Sequence, residues 1–210
     1  AAAQRDPAKT LDALVDAYIA QDYDSDQTEG QVVRETKKIL DAVLSAQGID
    51  DVLNNQRLRY HCASVKCLGG LASDAANPQK RGMIKAFFQA LAGRPYLRHS
   101  LERAIFYAGG DGSTMTGCDN FRTSSVALTK DNIQAAILSS GSIPVLMAGV
   151  DNITGADRGV YRDGGLLDYH ALPSNISTNN NGLVLYPHFY PYLKECWFDK
   201  FFPWRKVSTE

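Results

Sequence analysis

The chain has no excess of charge of either sign and no long apolar run. Its 210 residues carry 22 basic and 23 acidic side chains, a formal net charge of −1. This balance excludes the strongly basic footprint that is typical of nucleic-acid-binding proteins. No apolar stretch approaches the length of a transmembrane helix. The sequence therefore predicts a soluble protein without a nucleic-acid partner, and it leaves the compartment open, with the cytoplasm as one candidate.

Cysteine is scarce, and its spacing excludes two kinds of site. The four residues are Cys62, Cys67, Cys118 and Cys196, and no two of them form a Cys-x-x-Cys pair. A structural zinc site or a thiol redox motif normally needs such a pair. We therefore expect reduced, partly buried thiols and no metal.

Helix-like and strand-like segments alternate along the chain. Helices are predicted from Asp6-Pro7, over 28–46 with Gly48 as the stop, from Asn77-Pro78 and over 129–138, and strands over 57–66, 103–108, 159–162 and 182–187. This alternation predicts an α/β domain with a mostly parallel central sheet that the first two helices help to cover. With 44% hydrophobic residues, the chain is able to bury a core.

An aspartate followed by two glycines, Asp163-Gly164-Gly165, comes directly after the predicted strand 159–162. Glycine lets the backbone turn sharply and lets another group approach closely. A carboxylate presented at such a turn suits a general base that activates a nucleophile. The triplet is also common turn chemistry, so its interpretation depends on its surroundings.

The surroundings of this triplet resemble one known family. Upstream lies Ser139-Ser140-Gly141-Ser142-Ile143-Pro144, a small-residue turn that closes a predicted helix, and a loop and the strand then lead to Asp163. This order, from Ser139 to Asp168, resembles the C-terminal half of the patatin-like phospholipases. The resemblance implies a three-layer α/β fold, incomplete at its N-terminus. It also implies a serine hydrolase that acts on acyl esters or lipids through a serine–aspartate dyad, without a cofactor or metal.

The resemblance assigns a role to each residue of the triplet. Asp163 is the base of the dyad, and Gly164 and Gly165 support its turn or the oxyanion. The nucleophile of the family is a serine in a Gly-x-Ser-x-Gly motif, because the turn around it is strained and crowded. No serine of this chain has glycine both two residues before and two residues after it. His170 lies near Asp163, but the family dyad uses no histidine.

The beginning of the chain favours one explanation for the missing serine. Ala1-Ala2-Ala3 followed by polar residues is typical of the last turn of a helix. We therefore expect residues 1–210 to be the C-terminal portion of a single hydrolase domain, with the nucleophile and oxyanion loop outside this chain. The alternatives are a catalytically inactive interaction domain of the same fold and a nucleophile supplied by another chain.

A second glycine-rich segment, Gly109-Gly110-Asp111-Gly112-Ser113, points to a different function. It resembles the Gly-Gly-Asp-Gly-Thr loop of the diacylglycerol and NAD kinases, and an apolar strand precedes it. Backbone amides of such a loop can bind phosphate. The residues after Ser113 have no helical periodicity, so a glycine-rich turn is the first interpretation and a lipid or nucleotide kinase is the alternative.

Two apolar segments each have two interpretations. In the third predicted helix, an apolar stripe is expected to be core, with the lining of an acyl-chain pocket as the alternative; it consists of Met83, Ile84, Phe87, Phe88 and Leu91. The C-terminal region 186–204 is rich in aromatic residues with basic residues between them. We expect these aromatics to pack over the edge of the sheet, and the alternative is transient contact with a membrane surface.

Overall fold

The computed structural model describes residues 1–21, 28–110, 119–170 and 192–205. Within these ranges the α-helices are α1 (Pro7–Ile19), α2 (Glu29–Val43), α3 (Ala46–Leu53), α4 (Ala76–Ala92) and α5 (Ile133–Ser140). The strands are β1 (Tyr60–Cys67), β2 (Leu101–Ala108), β3 (Thr123–Ala127), β4 (Val150–Asp151) and β5 (Val160–Asp163). Shorter 3₁₀ helices lie at Gly69–Ala72, Arg94–His99, Gly164–Leu166 and Trp197–Phe201. The predicted strand 182–187 lies outside the described residues.

A side chain caps the N-terminus of each of the first three helices. Asp6 accepts a hydrogen bond from the backbone N–H of Lys9, and Thr28 forms a reciprocal capping box with Gln31. The predicted starts of the first two helices are confirmed. Ser45 caps a new helix, α3, because its side chain accepts from the N–H of Gly48. The prediction that Gly48 stops the second helix is therefore wrong, since Gly48 lies inside α3.

The sheet is mixed, and the prediction of a mostly parallel sheet is wrong. Among the described strands the order is β3-β2-β1-β5-β4, and β2 and β3 form the one parallel pair. The reason lies in the connection from β1 to β2, which returns to the end of the sheet that it left. The N–H of Leu68 donates to the carbonyl of Ser100 over 2.9 Å, directly beyond the pair Cys67 and Leu101. Alternation of helices and strands does not encode this return.

Helices flank the sheet, and the α/β prediction is confirmed. Neighbouring side chains of a strand point to opposite faces, so the strands contribute to two hydrophobic clusters. The first contains Val65 and Cys67 of β1 and packs against α4 and the 3₁₀ helices. The second contains Ala104 and Phe106 of β2 and packs against α3 and α5.

The buried face of α4 consists of Gln79 and three small residues. Gly82, Ala86 and Ala90 are buried, and a Cβ atom on Gly82 would lie 2.7 Å from the backbone carbon of Gly70. Small side chains therefore let the 3₁₀ helix Gly69–Ala72 approach the backbone of α4 closely.

The stripe that was predicted as core is divided by this arrangement. Met83 and Phe87 are half-buried against the first cluster, but Ile84, Phe88 and Leu91 face the solvent. The core prediction is therefore wrong for the last three, because the small residues on the other side of α4 occupy the buried face. Met83 of the stripe also lines a small cavity of about 190 Å³.

Helix α1 does not cover the sheet as predicted, and α2 contributes partly buried Leu40 to the second cluster. Helix α1 packs against α2, and α2 packs against α5, which itself lies on β1 and β5. Because α5 already occupies that face of the sheet, neither α1 nor α2 contributes a buried residue. Leu11, Tyr18 and Ile19 of α1 are exposed.

The C-terminal aromatic residues have two different environments. Phe198 and Phe202 are buried in the first cluster, so these two residues pack inward beside α4 and β1. Phe201 and Trp204 are exposed, and the aromatics before residue 192 lie outside the described ranges.

None of the helices in the described parts of the chain has the length and apolar character needed to cross a bilayer.

The close contact at Gly82 makes a prediction about stability. Gly82→Ala places a methyl group against the backbone of Gly70 and Leu71, so we expect a loss of about 2 kcal/mol in the free energy of unfolding. Gly30→Ala in α2 is the matched control, because a Cβ there meets nothing closer than the side chain of Arg34 at 3.8 Å. It should gain about 0.5 kcal/mol. Urea denaturation measures both, and equal effects would contradict the packing argument.

Candidate active site around Asp163

Asp163 is the last residue of β5 and the cap of the 3₁₀ helix Gly164–Leu166. Its carboxylate oxygen Oδ1 accepts a hydrogen bond of 2.7 Å from the N–H of Gly165. Its own N–H donates to the carbonyl of Ser142 over 3.1 Å. The strand, the sharp turn and the carboxylate therefore lie in the order that the sequence predicts.

The two glycines after Asp163 allow this turn to lie against the sheet. A Cβ atom on Gly164 would collide with the backbone carbonyl of Ala63 in β1. A Cβ atom on Gly165 would lie 3.1 Å from Oδ1 of Asp163 and 3.3 Å from the ring of Tyr169. In this structure both glycines support the turn, and the N–H of Gly165 is already bonded to Asp163.

The Ser-Ile-Pro turn lies beside Asp163, and the serines of this turn and of the neighbouring strand β1 have other partners. Ser64 of β1 is paired in register with Asp163, but its Oγ lies 2.7 Å from the Oγ of Ser139. The hydroxyl of Ser142 donates to the carbonyl of Leu138. All three serines are buried. Among the residues that the structure describes, no serine donates to the carboxylate of Asp163.

Asp163 opens into a small cavity of about 190 Å³. The lining residues are Met83, Ile143, Pro144, Asp163, Leu166, Tyr169, Trp197 and Lys200. Most of these side chains are apolar, and the charges in the lining are one carboxylate and one ammonium. Such a cavity can hold an apolar ligand while presenting a single charged pair to it.

A second apolar space is a groove of about 850 Å³. It runs between α2 and α5, and its walls include Ile39, Val43 and Ile137. Ile143 lines both spaces.

The segment 192–205 closes one side of the cavity through backbone hydrogen bonds. The N–H of Tyr169 donates to the carbonyl of Glu195 over 2.8 Å, and the N–H of His170 donates to that of Lys194 over 3.2 Å. Nδ1 of His170 accepts from the N–H of Lys194 over 2.7 Å. His170 thus ties two segments together. These bonds bring Lys200 to the cavity, a residue that the sequence analysis missed because no local pattern links it to Asp163.

The environment of Asp163 makes its carboxylate a stronger base than an exposed one. Burial raises the pKa of Asp163, and the N–H of Gly165 and the positive charge of Lys200 partly offset this increase. The Lys200 ammonium lies 4.3 Å from the ring centroid of Tyr169 and 5.5 Å from that of Trp197. Two aromatic rings therefore position the cation in the cavity.

A buried ionic cluster anchors the segment that follows the turn. Arg103 donates to both Asp119 and Asp168, with bonds of 2.7 to 2.9 Å, and Arg94 donates to the same two carboxylates. Burial by itself would raise the pKa of Asp119, but the two guanidinium groups lower it to about 2. Arg103 stays charged, because its carboxylate partners raise its pKa despite its burial.

A second buried arginine anchors β5 from another direction. The guanidinium of Arg162 is fully buried and donates to the carbonyls of Leu71, Met147 and Ser73 as well as to the carboxylate of Asp74. Because Arg162 directly precedes Asp163, these hydrogen bonds fix the position of the end of β5.

Only the beginning of the glycine-rich segment 109–113 lies within the described residues. Gly109 and Gly110 follow β2 with φ angles of +77° and +80°, which favour glycine. A Cβ atom on Gly110 would lie 3.0 Å from the guanidinium of Arg59. Asp111, Gly112 and Ser113 lie outside the described ranges, so the kinase alternative gains no support from this structure.

The described cysteines are reduced and have weakly acidic thiols. Cys67 and Cys196 are buried, Cys62 is half-buried, and burial raises the pKa of each to about 12. The prediction of reduced thiols is confirmed for these three, and Cys118 lies outside the described residues. Across the described ranges, no group of three or more histidine, cysteine or acidic side chains is arranged to bind a metal ion.

Comparison with protein-family models, curated proteins and solved structures finds no match to this chain. The assignment of a function therefore depends on the geometry of the site.

The ionic cluster makes a prediction about stability. Arg103→Met removes the more deeply buried of the two arginines that pair with Asp119 and Asp168, so we expect urea denaturation to show a loss of about 3 kcal/mol in the free energy of unfolding. Arg122→Met is the matched control, because Arg122 forms ion pairs at the exposed surface and should change stability by less than about 1 kcal/mol.

The same cluster predicts a pH dependence. The folded-state pKa of Asp119, about 2, lies below its ordinary value of 3.8. Its ionised form therefore stabilises the fold above pH 3.8, and this contribution is lost as the pH falls toward 2. The difference in unfolding free energy between the wild type and Asp119→Asn should shrink over that interval. A constant difference would contradict the assignment.

Proposed function

We propose that this chain belongs to a serine hydrolase of acyl esters, of the patatin-like three-layer type, in which Asp163 is the general base. The observation that carries the proposal is the half-buried carboxylate of Asp163 at a strand end, facing an apolar cavity with Lys200 beside it. A carboxylate in a cleft whose pKa is raised by burial is a candidate for a catalytic residue. The order of the Ser-Ile-Pro turn, strand and Asp-Gly-Gly turn around the cavity supports the same family.

The proposed mechanism is covalent and uses Asp163 twice. The carboxylate takes the proton of a serine hydroxyl as its oxygen attacks the ester carbonyl carbon, and a tetrahedral oxyanion forms. The intermediate collapses to an acyl-serine, and protonated Asp163 gives its proton to the departing alkoxide. Asp163 then takes a proton from water, whose oxygen attacks the acyl-serine. The second collapse releases the carboxylic acid and returns the proton to the serine.

The proposal requires groups that the described residues do not supply. The serines near Asp163 are buried and bonded elsewhere, and the N–H of Gly165 is bonded to Asp163 itself. Because the whole sequence also has no Gly-x-Ser-x-Gly motif, the nucleophile and the oxyanion donors are proposed to come from outside residues 1–210.

An acyl ester with an apolar chain is the proposed substrate class. The cavity at Asp163 is mostly apolar, and one of its lining residues, Ile143, also lines the larger apolar groove. An acyl chain that contacts the apolar lining of the cavity would hold the ester carbonyl near Asp163. Acyl length and head group would then depend on the groove and on the missing segment.

A second candidate function is a catalytically inactive interaction domain of the same fold. The observation in its favour is that no described serine reaches Asp163. The exposed apolar residues of α1 also offer surface to a partner. An assay of turnover separates the two candidates.

Substitution of Asp163 tests the assignment of the base. In a protein that joins residues 1–210 to the segment with the serine, Asp163→Asn should lower kcat/KM for p-nitrophenyl butyrate roughly a hundredfold or more. The asparagine oxygen can still accept from Gly165, so the fold should persist. Asp151→Asn, at an exposed position of β4, is the matched control and should keep full activity.

Two results would count against the proposal. Full activity of Asp163→Asn would exclude it as the base, and turnover or fluorophosphonate labelling by residues 1–210 alone would exclude a nucleophile from elsewhere. Absence of turnover in the joined protein would favour the interaction domain.

Lys200 makes a prediction about the pH profile. Its charge lowers the pKa of Asp163, so Lys200→Met should raise that pKa further. The base is active only when it is ionised, so kcat/KM declines as the pH is lowered. In this variant the decline should begin at a higher pH than in the wild type. Lys9→Met, on the exposed side of α1, should leave the profile unchanged. A profile that does not move in Lys200→Met would show that the cation does not act on the base.

A further inference from the structure

Helix α4 carries an apolar stripe on its solvent-facing side. Ile84, Phe88 and Leu91 are 58%, 61% and 42% exposed. Their spacing of four and three residues places them on one face of the helix. The core does not use this face, because α4 packs inward through Gln79 and the small residues Gly82, Ala86 and Ala90.

The stripe continues onto the C-terminal segment. The ring of Phe87 lies 5.7 Å from that of Phe88 and 5.8 Å from that of Phe201. Arg205 donates to the carbonyl of Leu91 over 2.8 Å. Trp204 follows, 68% exposed, with its ring 5.6 Å from that of buried Phe202. Helix α4 and the segment 201–205 therefore form one surface, which we call the aromatic patch: Ile84, Phe88, Leu91, Phe201 and Trp204.

The charges beside the aromatic patch are positive. Lys80, Arg81 and Lys85 are exposed on α4, and α4 contains no acidic residue. Within the described residues, none of these three forms an ion pair. Asp199 of the neighbouring segment is buried and bonded to the N–H of Cys196 and to Arg205. Glu195 is an exposed acid of that segment.

Exposed aromatic side chains next to unpaired cations match the surface of an anionic bilayer. Tryptophan and phenylalanine favour the boundary between head groups and acyl chains, and lysine and arginine bind anionic head groups. A second copy of this chain is a poorer partner, since a two-fold contact through the patch would bring the same cations together.

We propose that the aromatic patch docks this chain on the surface of anionic phospholipid bilayers. Met83 of α4 and Trp197 line the cavity at Asp163, whereas their neighbours Ile84 and Phe201 belong to the patch. Docking would therefore bring the cavity close to the lipid. The inference goes beyond the proposed hydrolysis, and binding can be measured in the absence of any turnover.

Co-sedimentation of residues 1–210 with vesicles tests the proposal. The chain should bind vesicles of phosphatidylcholine mixed with phosphatidylglycerol more tightly than vesicles of phosphatidylcholine alone, and added salt should weaken this binding. Phe88→Ser combined with Trp204→Ser should weaken it roughly tenfold or more. Replacement of Lys80, Arg81 and Lys85 by Gln should weaken it roughly fivefold per charge, since each contributes about 1 kcal/mol.

The matched control is Leu11→Ser combined with Tyr18→Ser on α1, which removes apolar side chains of similar exposure from another surface. This variant should bind as the wild type does. Far-UV circular dichroism checks that all variants fold. Equal binding to both kinds of vesicle, or an equal loss in the α1 control, would overturn the proposal. A dimer that Phe88→Ser converts to a monomer in the absence of lipid would overturn it in favour of self-association.

Discussion

The contact between Gly164 and the carbonyl of Ala63 decides where the carboxylate of Asp163 lies. There is no space for a Cβ atom at this point, so the chain can turn against β1 only with glycine at position 164. The turn then lets Gly165 donate to Asp163 and directs the following residues toward the C-terminal segment. The cavity, the approach of Lys200 and the proton affinity of the carboxylate all depend on this close passage of two backbones.

A half-buried carboxylate lowers stability at neutral pH, and the surrounding structure offsets the effect. Burial raises the folded-state pKa of Asp163 above its unfolded value. The favourable contribution of this group is thus fully present below the unfolded pKa and is lost as the pH rises through the folded one. The buried guanidinium groups of Arg103 and Arg162 hold the segments on either side of the turn.

Local signals in the sequence were sufficient for the features that local chemistry determines. Asp6, Thr28 and the Asp163 turn were predictable because capping side chains and glycines act within a few residues of themselves. The direction of the strands was not predictable, since it depends on how the long connection between β1 and β2 returns. Hydrophobicity alone mispredicts which side chains of α4 are buried, because the close packing at Gly82 requires small residues on the buried face. Lys200 reaches the cavity through backbone hydrogen bonds between distant segments, which no sequence spacing reveals.

The proton affinity of Asp163 is the property on which the proposed chemistry depends most directly. A titration of residues 1–210 followed by NMR of the side-chain carboxyl carbons, with Asp163→Asn to assign its resonance, measures it without any need for the missing nucleophile. We expect the pKa of Asp163 to lie above the ordinary value of 3.8. A value at or below 3.8 would mean that the carboxylate is solvated or paired as a turn residue, and it would contradict its role as a buried base.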